Sequence, residues 1–174
     1  YKVIANKGEL FANKIISNIP IWNIEILFKD ANSKKYFQKI SDKNSEAWGA
    51  FTLYFGVEDN FNDYGSLYHQ IHFKSSIAAS GSVFVSISKS GDVQKAPAGW
   101  RTVTISTHIA NPEEWKNYSE EIYEGKKKIL TDEILKLLEE NFENFINCKK
   151  KFLLSGSPKT FEFYTKRKNG YVGG

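Results

Sequence analysis

Residues 82–109 read SVFVSISKSGDVQKAPAGWRTVTISTHI, and their pattern decides the fold. Val83, Val85 and Ile87 alternate with Ser82, Phe84, Ser86 and Ser88, while Val103, Ile105 and Ile109 alternate with Thr104, Ser106 and His108. Successive side chains of a strand point to opposite faces, so this period of two predicts two half-buried strands, each with one apolar and one mixed face. Between them, Lys89 to Gly99 carries Gly91-Asp92 and Ala96-Pro97-Ala98-Gly99. These residues supply positive φ, fixed φ and local side-chain caps where a strand must stop. The result is a hairpin whose connection is long enough to have a task of its own.

Working outward, Trp48 to Val57 is the clearest further strand, with Phe51, Leu53, Phe55 and Val57 on one face and Trp48, Ala50, Thr52 and Tyr54 on the other. Glu58 to Gly65 reads as a loop, and Ser66 to Phe73 resumes alternation. Near the N-terminus, Lys2 to Ala5 is a short strand followed by a turn at Gly8, and Phe11 to Ile19 reads as a second strand closed by Pro20. Ile21 to Leu27 is short and helical or irregular, and Asp30 to Lys35 is a polar linker. Beyond the hairpin, Asn111-Pro112-Glu113-Glu114 has the features of a helix start, and apolar residues recur at helical spacing to about Asn144, with Gly125 and Thr131 as the expected breaks. Lys151 to Leu154 and Thr160 to Thr165 read as closing strands. The fold class is α+β: a mixed, mainly antiparallel sheet packed against a long helix.

At 174 residues the chain can bury a real core. Its aromatic content of 15% points to an aromatic core or to a pocket for a flat or apolar ligand. The net charge of +4 is carried by lysine, with Arg101 and Arg167 the two arginines. The lysine runs at 126–128 and 149–151 flank a helix and read as a solvated face rather than a nucleic-acid surface, so no nucleic-acid partner is expected. Cys148 has no second cysteine to pair with, which fits a reducing, cytoplasmic setting, and no apolar run approaches the roughly 18 residues of a membrane span. Peripheral contact with a membrane stays open. A first residue of tyrosine, the lack of methionine and a glycine-rich end suggest a piece of a longer polypeptide.

If the helix covers the Val83, Val85, Val103 and Ile105 side of the sheet, the other side presents Trp48, Thr52, Tyr54, His72, Phe84, Ser86, Ser106 and His108. Lysine and glutamate are nearly absent from it, which is unusual for a water-facing sheet and marks these eight residues as a candidate substrate pocket. His69 and His72 fall on opposite faces and cannot share a metal, so no metal site is expected. There is no Gly-x-Ser-x-Gly elbow, Gly-x-Gly-x-x-Gly turn or P-loop, and no residue is named as catalytic. From the residues alone, a free-standing apolar-ligand or lipid-binding module and an enzyme part both remain open.

Four stretches together resemble the central part of the flavin-dependent phytoene desaturase and carotenoid isomerase-like oxidoreductases, the group related to retinol saturase. They are Gly8 to Asn18, where Asn13 stands in place of the family's usual Asp; Trp48 to Val57; Ser82 to His108; and Gly156-Ser157-Pro158-Lys159-Thr160 followed by Tyr164-Thr165-x-Arg167-x-x-Gly170-x-x-Gly173. The resemblance implies residues 1–25 as a flank leaving a flavin domain, 26–155 as a substrate-binding domain and 156–174 as the return to the flavin domain. It further implies FAD in the full-length protein, with Arg167, Gly170, Gly173 and Gly174 as cofactor contacts. The implied partners are an apolar substrate and the missing flavin domain, and the implied reaction is desaturation, saturation or isomerisation of a carotenoid, retinoid or other isoprenoid polyene, performed by the flavin.

Overall fold

The computed structural model describes residues 1–44 and 47–173. The chain divides into two compact units, Tyr1–Lys43 and Asn44–Gly174, and each is described by itself.

In the first unit, β1 (Lys2–Ala5) and β2 (Gly8–Phe11) form an antiparallel hairpin with Lys2 opposite Phe11 and Ala5 opposite Gly8. Lys2 Nζ reaches Glu9 Oε1 across it at 2.7 Å. The strand expected at Phe11 to Ile19 therefore lies earlier, and residues 12–19 are not strand. A strand persists only where a neighbour pairs with it, and the four residues of β1 are all taken by Gly8–Phe11. A 3₁₀ turn, Ile21–Leu27, precedes α1 (Ala31–Lys43). The polar linker expected at Asp30 to Lys35 is in fact the start of α1, because Ser33 N–H donates to Asp30 Oδ1 at 2.7 Å and so satisfies an orphan donor of the first turn. That backbone bond holds the Asp30 carboxyl below its usual value.

The second unit is a five-stranded sheet in the order β4-β5-β6-β3-β7, formed by β3 (Gly49–Glu58), β4 (Tyr68–His72), β5 (Ser82–Ile87), β6 (Trp100–Ile109) and β7 (Lys150–Gly156). Its described pairings are all antiparallel. The hairpin β5–β6 sits in the sheet as its alternation requires, with Phe84 opposite Ser106 and Ile87 opposite Val103. Phe51, Leu53, Val57, Val83, Val85 and Ile105 are buried on one face with Leu130, Ile134 and Leu138 of α2 (Glu120–Asn141). Each such side chain contributes roughly 1.5–3 kcal/mol, so this face drives folding of the unit. The α+β class and the helix-covered apolar face match the reading of the sequence.

Two local readings differ. The helix breaks neither at Gly125 nor at Thr131; a 3₁₀ turn, Pro112–Lys116, comes first, and α2 starts after Ser119, whose Oγ accepts from Ile122 N–H at 3.4 Å. Asn111 is left-handed (φ 52°) and its side chain accepts no cap bond from the backbone; its amide donates to Glu114 Oε1 instead. Trp115, 2% exposed, pins the short turn beneath Phe51. Thr131 stays helical by donating to Lys127 O at 2.7 Å, and the burial of Tyr123 and Leu130 on either side outweighs the roughly 1 kcal/mol that Gly125 costs. The strand expected at Thr160 to Thr165 is helix α3 (Pro158–Thr165). Ser157 caps it through Thr160 N–H, and Pro158 is prepared for the first helical position, so capping outweighs the aromatic strand preference of Phe161 to Tyr164.

Candidate apolar binding face

The second side of the sheet is built from the alternate residues of five strands. One row crosses it as Gln70, Phe84, Ser106, Thr52 and Gly156, and the next as Tyr68, Ser86, Thr104, Tyr54 and Leu154. Register thus brings Thr52, Tyr54, Phe84, Ser86 and Ser106 together. His72 lies opposite Ser82 near the β4 edge, and His108 opposite Ala50. Trp48 shares the far end with His108, ring centroids 5.9 Å apart. The eight predicted residues share one face but spread along its whole length, so they do not enclose a single pocket.

Large apolar groups stand in solvent on this face: Tyr54, Tyr68, Phe84 and Leu154 are all exposed, and the Tyr68 and Phe84 rings stack 6.1 Å apart. Contiguous exposure of this kind marks an interaction surface. Thr52 is the exception. It is 6% exposed, its Oγ1 has no hydrogen-bond partner, and a Cβ on Gly156 would come within 2.7 Å of that oxygen.

Concavity is found at the Tyr54 end, where a cavity of about 440 Å³ opens. Its floor is Tyr54, Gly56, Thr102 and Thr104; Trp100 and Leu154 wall it, and Ala96 and Pro97 of the long hairpin connection close one side. Of these, Tyr54 belongs to the eight-residue pocket expected from the sequence, and Thr104 lies on the same face of the sheet. The available signal was Gly56 inside a strand, a residue type that marks close approach by another group; Trp100 Cε3 would lie 3.8 Å from a Cβ there. The connection is ordered by its own bonds. Asp92 O accepts from Lys95 and Ala96 N–H, Pro97 O accepts from Trp100 N–H, and Gly99 O accepts from Asp59 N–H.

A buried cation locks that connection to the loop after β3. Arg101, 2% exposed, donates from Nε to Ser88 O and from Nη2 to Asp63 Oδ2, both at 2.7 Å. Its Nη1 lies 3.6 Å from Asp59 Oδ1, and its guanidinium 5.1 Å from the Phe61 ring centre. The hydrogen bond from Arg101 holds the Asp63 carboxyl below the ordinary range against the opposing effect of burial. Ser90 Oγ–H completes the lock on Asp59.

At the C-terminal end, Arg167 Nη1 donates to the carbonyls of Tyr171 and Val172. Gly170 is buried at φ 68°, where a Cβ would lie 2.0 Å from Pro158 O. Gly173 pairs with Trp48, and Gly174 lies outside the described residues. The left-handed turn and the missing side chain of Gly170 serve an internal contact. Arg167, Gly170 and Gly173 are thus each engaged in contacts within the chain itself. Among the described residues no three His, Cys, Asp or Glu side chains gather as metal ligands, and no helix is long and apolar enough to cross a membrane.

The chain is similar to prolycopene isomerases. It is 30% identical over 180 residues to the chloroplastic prolycopene isomerase of Daucus carota, a match covering 98% of this chain and 28% of that protein. It is also 30% identical over 189 residues to chloroplastic prolycopene isomerase 2 of an Oncidium hybrid cultivar, covering 98% of this chain and 30% of that protein. The chain therefore spans less than a third of the length of these relatives. No family model matches it, and no solved structure does.

Proposed function

We propose that this chain is the substrate-binding domain of a longer FAD-dependent oxidoreductase that acts on a carotenoid or related isoprenoid polyene, with isomerisation favoured over desaturation or saturation. The observation that carries the reading is the open apolar face, where Tyr68, Phe84, Tyr54 and Leu154 stand exposed in adjoining rows and nothing among the described residues covers them. A rod-like hydrocarbon gains roughly 25 cal/mol for each Å² it hides on such a surface. The similarity to prolycopene isomerases supports the polyene as ligand class and isomerisation as reaction, and the Arg167 to Gly173 segment would lead towards a flavin domain carried elsewhere in the protein. The flavin would supply the redox or isomerising chemistry; this chain would bind and orient the polyene.

Prolycopene mixed with the purified chain in mild detergent, then passed through gel filtration, should co-elute as carotenoid absorbance with the protein, and less of it should do so for Phe84→Ser/Tyr54→Ser. The longest reading frame containing the chain, expressed in cells that accumulate prolycopene, should convert it to the all-trans isomer by chromatography. Absence of both results refutes the proposal. Co-elution without conversion favours a second reading, an apolar-ligand module without catalysis, which the self-contained core of the Asn44–Gly174 unit supports.

A further inference from the structure

The cavity beside Trp100 carries features that a neutral hydrocarbon does not require. Lys95 and Lys151 both line it, and no carboxylate does. Among the described residues neither lysine forms an ion pair. Lys151 Nζ lies 4.5 Å from the Trp100 ring centre, and Glu58, which ends β3, pairs with Lys149 at 3.3 Å and is attracted more weakly by Lys151. Two cations thus flank an otherwise apolar concavity of about 440 Å³, within the roughly 300–1,000 Å³ typical of small-molecule sites.

A second feature is backbone strain at the rim. Between the pairs Tyr54–Leu154 and Gly56–Lys151, two residues of β7 oppose one of β3. In this bulge Phe152 has φ 55°, a left-handed conformation ordinarily filled by glycine and a true outlier for a bulky side chain. The residue is 84% exposed, so core packing does not account for a phenylalanine there. Strain of this kind collects at ligand clamps. The bulge projects Phe152 at the cavity mouth, next to Lys151.

We infer that this cavity binds a single-chain anionic amphiphile, a carboxylate or phosphate head carrying one apolar tail. The head meets Lys95 and Lys151, and the tail enters between Trp100, Leu154 and the Phe152 ring. The cavity shares Tyr54 and Leu154 with the face proposed for the polyene, and the inference goes beyond that reading because a hydrocarbon without a head group needs neither the cations nor the strained bulge.

The test titrates the 174-residue chain with oleate below its micelle concentration and with oleyl alcohol as neutral analogue, followed by calorimetry and tryptophan fluorescence. One oleate per chain is expected, with a fluorescence change that disappears in Trp100→Phe. Lys95→Gln/Lys151→Gln should weaken oleate about tenfold and leave the alcohol unchanged; both side chains are exposed, so folding is not at stake. Phe152→Gly should weaken both ligands while raising Tm, since glycine adopts the left-handed backbone freely. Equal affinity for oleate and the alcohol, insensitivity to the lysine pair, or binding only to anionic vesicles would overturn the inference. A lowered Tm for Phe152→Gly would overturn the part given to the ring. Neither probe is a polyene, so this result and the prolycopene result can fail independently.

Discussion

Replacing Arg101 by methionine removes a buried cation from between two carboxylates, and the cost can be worked from its surroundings. The guanidinium side chain is 3% exposed, whereas Asp63 and Asp59 are 22% and 17% exposed. Breaking a buried pair by removing one partner costs about 3–5 kcal/mol. Here the abandoned carboxylates can turn towards water, so the low end applies, about 3 kcal/mol. For a unit of this size each kcal/mol lowers Tm by about 3–4 °C, so the second unit should melt about 10 °C early. Methionine keeps much of the stem that packs on Phe61, so the loss reads the charge and its hydrogen bonds more than the volume. The same interaction sets a pH dependence. Asp63 has its carboxyl depressed in the fold, so the stability it confers is full above its unfolded value of about 3.9 and is lost as pH falls through the lower folded value. Thermal melts of wild type and Arg101→Met should therefore differ by a constant amount from neutral pH to about pH 5, and converge below about pH 4. A Tm loss under about 2 °C, or a gap that stays open in acid, would refute the lock as described.

Three further perturbations follow from single contacts. Thr52→Val removes a buried hydroxyl without a partner at nearly constant shape, so Tm should rise by the equivalent of about 1 kcal/mol in a thermal melt; a fall would show that the hydroxyl is satisfied. Ser157 is fully buried, caps α3 and shares a 2.9 Å hydrogen bond with Tyr123 Oη, so Ser157→Ala should cost about 1–2 kcal/mol by denaturant titration, and Tyr123→Phe less. Gly170→Ala places a methyl 2.0 Å from a backbone oxygen at a left-handed position, which only chain movement can relieve; limited proteolysis should cut 166–173 far faster than in wild type, and equal protection would contradict the packing.

Much of this architecture was legible from alternation alone. Val83, Val85, Val103 and Ile105 point one way because a strand allows nothing else, and an antiparallel hairpin then fixes which residues share each face. The same logic placed Trp48, Thr52, Tyr54, Phe84, Ser86, Ser106 and His108 together. Readings failed where one residue had two uses. Thr160 to Thr165 carries strand-forming aromatics, yet the Ser157 and Pro158 cap made it a helix. Residues 12–19 are apolar enough for a strand, but the partner that β1 takes is Gly8–Phe11, and 12–19 are not strand.

By itself, then, the sequence determined the class of the fold, the division of the sheet into a buried and an aromatic face, and the residue types on each, because these follow from local periodicity and burial. Only the tertiary structure decided where that aromatic face becomes a cavity. Ala96 and Pro97 lie some forty residues from Tyr54 and over fifty from Phe152 and Leu154, and they meet because Arg101 ties the connection to the Asp59 and Asp63 loop while a bulge in β7 turns Phe152 outward. Contacts between distant residues depend on how whole elements pack, and no local period encodes them.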